Sequence, residues 1–175
     1  VLVIDDDPAL LHSLKELLTF RMSIEVETRE WGLAALDAIR DVDFDAIICD
    51  IKMPRMDGLD LMKAVHAVRP ATPTLLITGH GDHELGVKAL NAGAYAFITK
   101  PIDRDFFVAW LQRAIQLRQL TRRVEEQNMV LQRQTEDLEQ LVAARTASLH
   151  ESQQRLRRAL EFDDAVMANM GEGLY

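Results

Sequence analysis

The sequence predicts an α/β fold, a doubly wound parallel sheet with a long helix behind it. As far as about residue 101, short β-branched runs alternate with helical patterns that end at Gly, Pro or Asn. Three of these runs are apolar without alternation, which is the pattern of parallel strands covered on both faces. From residue 103 to about residue 160 the chain contains neither Pro nor Gly, so one long helix is expected there.

Each element of this fold has its own sequence pattern. Five runs are predicted to be strands: residues 1–5, 24–28, 45–50, 74–79 and 94–100. Between them, apolar residues recur at helical spacing, and this predicts helices at residues 8–20, 31–40, 59–69 and 83–93. The first helix begins at Pro8, since proline is favoured in a first helical turn, and the fourth ends at a glycine. Right-handed crossovers between such units give a doubly wound sheet.

Composition limits the classes of protein to which this chain can belong. Its 175 residues, 48% of them hydrophobic, suffice for one core and an appendage. A net charge of −8 argues against a protein that grips nucleic acid or an acidic membrane surface. The single cysteine, Cys49, fits a reducing compartment, and no apolar run approaches the ~20 residues of a membrane helix. We therefore expect a cytoplasmic protein. The chain opens at Val1 without Met, which we interpret as a fragment of something longer.

Polar side chains stand at the carboxyl ends of the predicted strands. Ligands bind beyond this edge in open parallel sheets, so the residues there are the candidate site. They are Asp5 and Asp6 after strand 1, Asp50 after strand 3, Thr78 after strand 4 and Lys100 after strand 5.

The chemistry of this set indicates phosphoryl transfer. Clustered carboxylates raise one another's pKa unless a cation lies among them, and oxygen ligands favour Mg²⁺. Lys100 adds a positive charge and Thr78 a hydroxyl donor, which together suit the peripheral oxygens of a phosphoryl group. Asp50 is central, and a carboxylate can act as a covalent nucleophile, so we expect Asp50 to accept the group.

Four sequence blocks carry a resemblance to a known family. They are "VIDDDP", "CDIKMPRMDG", "LLITGHGD" and "GAYAFITKP". In this order and spacing, residues 1–116 resemble a response-regulator receiver domain of two-component signalling. The resemblance implies a flavodoxin-like sheet of order 2-1-3-4-5, here with helix 5 extended into a long coiled coil.

The same resemblance implies roles for individual residues. Asp50 is the implied phosphoryl acceptor, and its source is a histidine kinase or a histidine phosphotransfer protein. The implied Mg²⁺ ligands are Asp6 directly, Asp5 through water, Asp50 itself and the backbone carbonyl of Lys52. The implied phosphate contacts are Thr78 and Lys100, and the implied switch residues are Thr78 and Phe97. Because the aromatic position holds Phe97 rather than Tyr, a switch that needs a phenolic hydroxyl is not available.

The long helix carries a heptad pattern. Leu117, Val124, Leu131 and Leu138 repeat every seven residues. The interleaved positions include Asn128, a residue that fixes register in parallel dimers. We expect a two-stranded coiled coil and hence a homodimer, while a solvated single helix held by charge pairs remains the alternative.

Two weaker resemblances follow along the chain. Residues 138–156 resemble the "L-x-x-x-V-x-x-R-T-x-x-L" linker that joins modules of bacterial signalling proteins. The last seventeen residues resemble the opening of a PAS sensory domain. The predicted organisation is therefore a receiver at 1–116, a coiled-coil signalling helix at 117–160 and a truncated PAS-like stub at 161–175.

The predicted function is a phosphoacceptor receiver that signals through a dimeric helical stalk to a missing C-terminal module, such as a histidine kinase or a cyclic-dinucleotide enzyme. Beyond self-phosphorylation and autodephosphorylation at Asp50, we expect no enzyme activity of the fragment. No nucleic acid or membrane partner is expected. One alternative is the receiver of a DNA-binding transcriptional regulator. An Asp-nucleophile phosphatase fits less well, because it needs a second Asp where this chain has Lys52.

Overall fold

A computed structural model of the chain describes residues 1–79 and 83–171. It divides into two compact units, Val1–Val124 and Glu125–Tyr175. The described residues do not include residues 80–82, which end the sequence block "LLITGHGD", or the last four residues of the predicted PAS-like stub.

The first unit contains the predicted doubly wound sheet. Its strands are β1 (Leu2–Ile4), β2 (Glu27–Arg29), β3 (Ile47–Asp50), β4 (Thr74–Thr78) and β5 (Ala96–Thr99). The helices are α1 (Pro8–Met22), α2 (Gly32–Asp41), α3 (Gly58–Val68), α4 (His83–Asn91) and α5 (Arg104–Gly171). All strand pairs are parallel and their order is β2-β1-β3-β4-β5, which confirms the predicted topology.

Two buried clusters, one on each face of the sheet, explain why the central strands lack alternation. In β1, Leu2 and Ile4 belong to one cluster and Val3 to the other. Side chains of α2 and α3 complete the first cluster, while α1 and the start of α5 complete the second. Because every residue of such a strand is buried, an unbroken apolar run is required. The core therefore holds the carboxyl ends of the central strands in place.

The second strand differs from its prediction. Residues 24–28 were predicted as the strand, but pairing with β1 joins Leu2 to Glu27 and Ile4 to Arg29. This is an edge strand whose three residues are only half-buried. A half-buried edge strand has a weak apolar pattern, and its pairing partner rather than its own sequence sets its bounds.

The long helix begins close to the predicted residue and continues beyond the predicted end, to Gly171. Asp103 caps its start, because its Oδ1 accepts hydrogen bonds from the amides of Asp105 and Phe106, both at 3.0 Å. In the second unit, apolar side chains are exposed along the helix at Leu131, Leu138, Val142, Leu149 and Leu156. No helix of the described residues combines the length and apolarity needed to cross a membrane.

Candidate active site

The buried strand β3 positions Asp50 at the carboxyl edge of the sheet. All four residues of this strand are buried, and its last residue, Asp50, lies opposite Ile77 of β4. Asp50 is 5% exposed. A carboxylate at such a site is costly unless it is paired, so its partners define the chemistry of the site.

Asp50 has two charge-stabilising partners. Its Oδ2 accepts a hydrogen bond of 2.7 Å from the backbone amide of Lys52. Its Oδ1 lies 2.7 Å from Nζ of Lys100. The same ammonium donates to Oδ2 of Asp5 at 3.1 Å. The structure thus brings together three of the predicted site residues, Asp5, Asp50 and Lys100.

The site raises the pKa of Asp5 and the pKa of Lys100 for different reasons. Burial raises the pKa of Asp5, and the nearby Asp50 raises it further, although the amide of Asp7 and the ammonium of Lys100 act in the opposite direction. For Lys100, desolvation alone would lower the pKa, but the hydrogen bonds to Asp50 and Asp5 outweigh it and the pKa is raised. Lys100 is therefore a firmly protonated cation, while Asp5 is held at a cost in its charged form.

The neighbouring strands carry the remaining predicted residues. Thr78 ends β4, is buried, and lies opposite Thr99 of β5. Its carbonyl accepts a 2.8 Å hydrogen bond from the amide of Lys100, so Thr78 and Lys100 are fixed relative to each other. The peptide bond that follows, Lys100–Pro101, is cis. Phe97 is half-buried on β5, opposite Leu76.

A glycine that received no role from the sequence pattern holds the strand end in place. The amide of Gly58 donates to the carbonyl of Ile51 at 2.9 Å. A Cβ at Gly58 would stand 2.3 Å from the carbonyl oxygen of Asp50 and 2.9 Å from Cα of Ile51. No side chain fits so close to backbone, which explains the glycine that closes "CDIKMPRMDG". The sequence pattern does not reveal this contact.

The match with known proteins assigns the fold and these residues to a family. Residues 1–112 match the family model described as Response regulator receiver domain. The chain belongs to this family. It is 33% identical over 180 aligned residues to the C4-dicarboxylate transport transcriptional regulatory protein DctD of Pseudomonas aeruginosa, covering 99% of this chain and 37% of that protein. It is 32% identical to the transcriptional regulatory protein FixJ of Bradyrhizobium diazoefficiens over 160 residues, 91% of this chain and 72% of that protein.

Solved structures agree with this family. An adenylate cyclase from Rhodopirellula baltica is 33% identical with a TM-score of 0.67, and the match covers 71% of this chain and 93% of that one. A response regulator receiver domain protein from Clostridium thermocellum is 29% identical with a TM-score of 0.65, over 69% of this chain and 96% of that one.

The carboxylates of this receiver fit a divalent cation. Asp5 and Asp50 are both buried and share the one ammonium of Lys100, so two negative charges face one positive charge. Carboxylate oxygens are the donors that Mg²⁺ prefers, and receiver domains generally bind this ion at the phosphorylation site. Mg²⁺ retains several waters, so few protein ligands are needed. In the described residues no three His, Cys, Asp or Glu side chains lie close enough to hold a metal ion together.

Two acidic neighbours of Asp5 differ in their surroundings. Asp7 caps α1, because its Oδ1 accepts from the amide of Ala9 at 2.9 Å, and its own amide donates to Oδ1 of Asp5 at 2.9 Å. Asp6 is exposed between them. Asp7 therefore orients Asp5 and starts the helix, while Asp6 is exposed to solvent.

Proposed function

We propose that this receiver accepts a phosphoryl group on Asp50 from a histidine kinase or a histidine phosphotransfer protein. One observation carries the proposal: a buried carboxylate ends the central strand with one oxygen on the Lys100 ammonium and the other on the Lys52 amide. These contacts fix the carboxylate and leave it at the edge where ligands of parallel sheets bind.

In the transfer step, an oxygen of Asp50 forms a bond to phosphorus while the bond from phosphorus to the donor nitrogen breaks. The nitrogen keeps the electron pair, and the product is an acyl phosphate. Lys100 is positioned to neutralise a phosphoryl oxygen, since it already contacts Asp50. The Thr78 hydroxyl would donate to a second oxygen.

A bound Mg²⁺ would supply positive charge for the carboxylates and the phosphoryl oxygens. In this proposal its direct ligands are Asp6, Asp50 and the backbone carbonyl of Lys52, and Asp5 binds it through a water molecule. The uncompensated charge at Asp5 and Asp50 supports a cation in this position.

The test of Asp50 uses Mg²⁺ and acetyl phosphate. The wild-type chain should gain one acid-stable, hydroxylamine-labile phosphoryl group, which mass spectrometry detects, and Asp50→Asn should gain none. Asp57→Asn is the matched control, because Asp57 lies in the same loop but only caps α3 through the amide of Asp60. Labelling that persists in Asp50→Asn would refute the assignment.

We propose that the signal leaves through α5 and that the stalk is a parallel homodimer. The proposal includes three domains, at residues 1–116, 117–160 and 161–175. It also makes Thr78 and Phe97 the switch residues, whose arrangement differs between the phosphorylated and free states. The exposed apolar residues of the second unit support a partner helix, because long helices are rarely stable with an uncovered apolar stripe.

The full chain tests this dimer. Sedimentation equilibrium should give twice the chain mass for wild type, and Leu131→Asp should shift the mass towards the monomer, because a charge would be buried in the seam. Gln132→Asp is the control, because it adds the same charge one residue away from the stripe. A wild-type monomer at micromolar concentration would contradict the proposed stalk dimer.

A DNA-binding output is the second candidate. It is favoured by DctD and FixJ, which are both named transcriptional regulatory proteins, and the DctD match covers 99% of this chain, including the helix. The chain spans only 37% of DctD, so the output module would lie beyond the sequence in hand. The linker and PAS-like resemblances favour a sensory or catalytic module instead. Whether the natural protein carries a DNA-binding module decides between them.

A further inference from the structure

Gly86 lies in the middle of α4 with the ring of Phe97 against it. A Cβ built on Gly86 would stand 2.8 Å from both Cδ2 and Cε2 of Phe97 and 3.0 Å from its Cζ. Real Cβ atoms essentially never approach other atoms so closely. The absence of a side chain at this helical position is therefore what allows the ring its present place.

Helix geometry gives no other reason for this glycine. Glycine weakens a helix interior relative to alanine, because it loses more conformational freedom on folding. Gly86 is in regular helix, and the glycine with positive φ in this region is Gly93, which follows the helix at φ 102°. The close approach of the Phe97 ring is the remaining explanation for glycine at position 86.

The helix that carries Gly86 is shallowly anchored. Between Glu84 and Asn91, its buried residues are Gly86 and Ala89. By contrast, α3 buries Leu61, Met62 and Val65. Few buried apolar contacts mean low local stability, so the position of α4 depends strongly on each contact it has. The Phe97 ring is one of those contacts.

We infer that Gly86 is a positioning residue for the phosphorylation-dependent switch, because its lack of a side chain lets the Phe97 ring pack against the backbone of α4. This inference rests on the proposed function of Asp50, Thr78 and Phe97. Phe97 lies three residues before Lys100 on the same chain segment, and Lys100 contacts Asp50 directly. Ring orientation and the position of α4 are then coupled through a contact that only glycine permits.

The substitution Gly86→Ala tests the role of this contact between Gly86 and the Phe97 ring. Its methyl group would remove the ring from its place and so change the free-energy difference between the two states of the switch. A ligand that binds one state better then changes its apparent affinity. We expect the affinity for beryllofluoride with Mg²⁺ to differ at least threefold between Gly86→Ala and wild type, measured by NMR titration of the full chain. Nuclear Overhauser contacts between the Phe97 ring and position 86 should be weaker.

A double-mutant cycle distinguishes the contact between Gly86 and the Phe97 ring from a general effect of the substitution on the stability of α4. In a Phe97→Ala background, Gly86→Ala should leave beryllofluoride affinity unchanged. Val87→Ala is the control for helix propensity, because Val87 is exposed on the same helix, and it should also leave the affinity unchanged. An unchanged affinity in Gly86→Ala, or an equal change with and without the Phe97 ring, would overturn the inference.

Two further outcomes keep the test decisive. If Gly86→Ala fails to fold, the double variant Gly86→Ala with Phe97→Leu decides, because the smaller side chain at position 97 should restore folding. If the double variant also fails to fold, the role proposed for Gly86 is overturned. If wild type itself binds no beryllofluoride and accepts no phosphoryl group, the proposed function fails first. If wild type binds beryllofluoride normally and Gly86→Ala has no effect, the role proposed for Gly86 is refuted and the proposed function of Asp50 stands.

Discussion

The two edges of the sheet carry ion clusters that differ in charge balance. At the carboxyl edge, two buried carboxylates, Asp5 and Asp50, share one ammonium. At the amino edge, the carboxylate of Asp43 lies between two guanidinium groups. Its oxygens are 2.9 and 3.0 Å from Nη2 of Arg118, and Nη2 of Arg122 is 3.0 Å from Oδ2. The first cluster has two carboxylates for one cation, whereas in the second the two guanidiniums face two carboxylates, Asp43 and Asp45.

The pKa values follow this difference. Burial raises the pKa of Asp5 in spite of Lys100. For Asp43, burial acts in the same direction, but the hydrogen bond and charge of Arg118, with Arg122 behind it, outweigh burial and lower the pKa. The charge of Asp43 is thus stabilised by folding, while that of Asp5 is opposed by it. The amino edge is suited to holding α5 on the receiver, and the carboxyl edge to accepting a cation.

Removal of Asp43 should have the largest effect on stability. Asp43→Ala removes the carboxylate whose two oxygens both accept from Nη2 of Arg118, a side chain that is 8% exposed. We expect the free energy of unfolding to fall by about 2 kcal/mol, less than for a fully buried pair because Asp43 itself is partly exposed. Urea unfolding measures this. Asp41→Ala, a nearby exposed residue, should change stability by less than about 0.5 kcal/mol. Equal effects of the two variants would contradict the comparison.

Neutralising Asp5 should have the opposite sign. Without divalent metal, Asp5→Asn removes a charge that burial penalises. Its one side-chain oxygen can still accept from the amide of Asp7, and Lys100 keeps its contact with Asp50 although it loses the one with Oδ2 of residue 5. We expect the unfolding free energy to rise by about 0.5–1 kcal/mol in EDTA. Asp43→Asn under the same conditions should lower it. A loss of stability in Asp5→Asn would show that the carboxyl-edge cluster is as well balanced as the amino-edge one.

The pH dependence should separate the amino-edge cluster further. Because the folded pKa of Asp43 is lowered, its contribution is fully present above the unfolded value of about 3.9 and is lost as pH falls through the folded pKa. The difference in unfolding free energy between wild type and Asp43→Asn should therefore be largest near pH 6 and shrink towards pH 3. Thermal unfolding across this range measures it, with Asp41→Asn as control. A difference that stays constant down to pH 3 would refute a lowered pKa.

The same contrast explains which contacts could be predicted from the sequence. The carboxyl-edge residues were predictable because each ends a buried apolar strand, and the parallel topology that the pattern predicts brings strand ends together. Asp43 and Arg118 are 75 residues apart, and neither interrupts a periodic pattern. A charged residue before a strand and another on a helix look like ordinary surface residues. The contact of Gly86 with Phe97 was likewise invisible, because it depends on the distance between a helix and a strand.

The smallest expected effect separates the two arginines. Arg118 is nearly buried, whereas the side chain of Arg122 is 36% exposed and divides its contacts between Asp43 at 3.0 Å and Asp45 at 3.3 Å. Exposed ion pairs contribute about 0.2–1 kcal/mol, so Arg122→Ala should cost about 0.5 kcal/mol. Arg118→Ala should cost more, because packing around its aliphatic stem is lost as well. High salt should reduce the effect of Arg122→Ala but not that of Arg118→Ala, since only exposed charges are strongly screened. Urea unfolding at 0.05 and 1 M NaCl compares them, and equal salt sensitivity would show that Arg118 is not the buried anchor of this cluster.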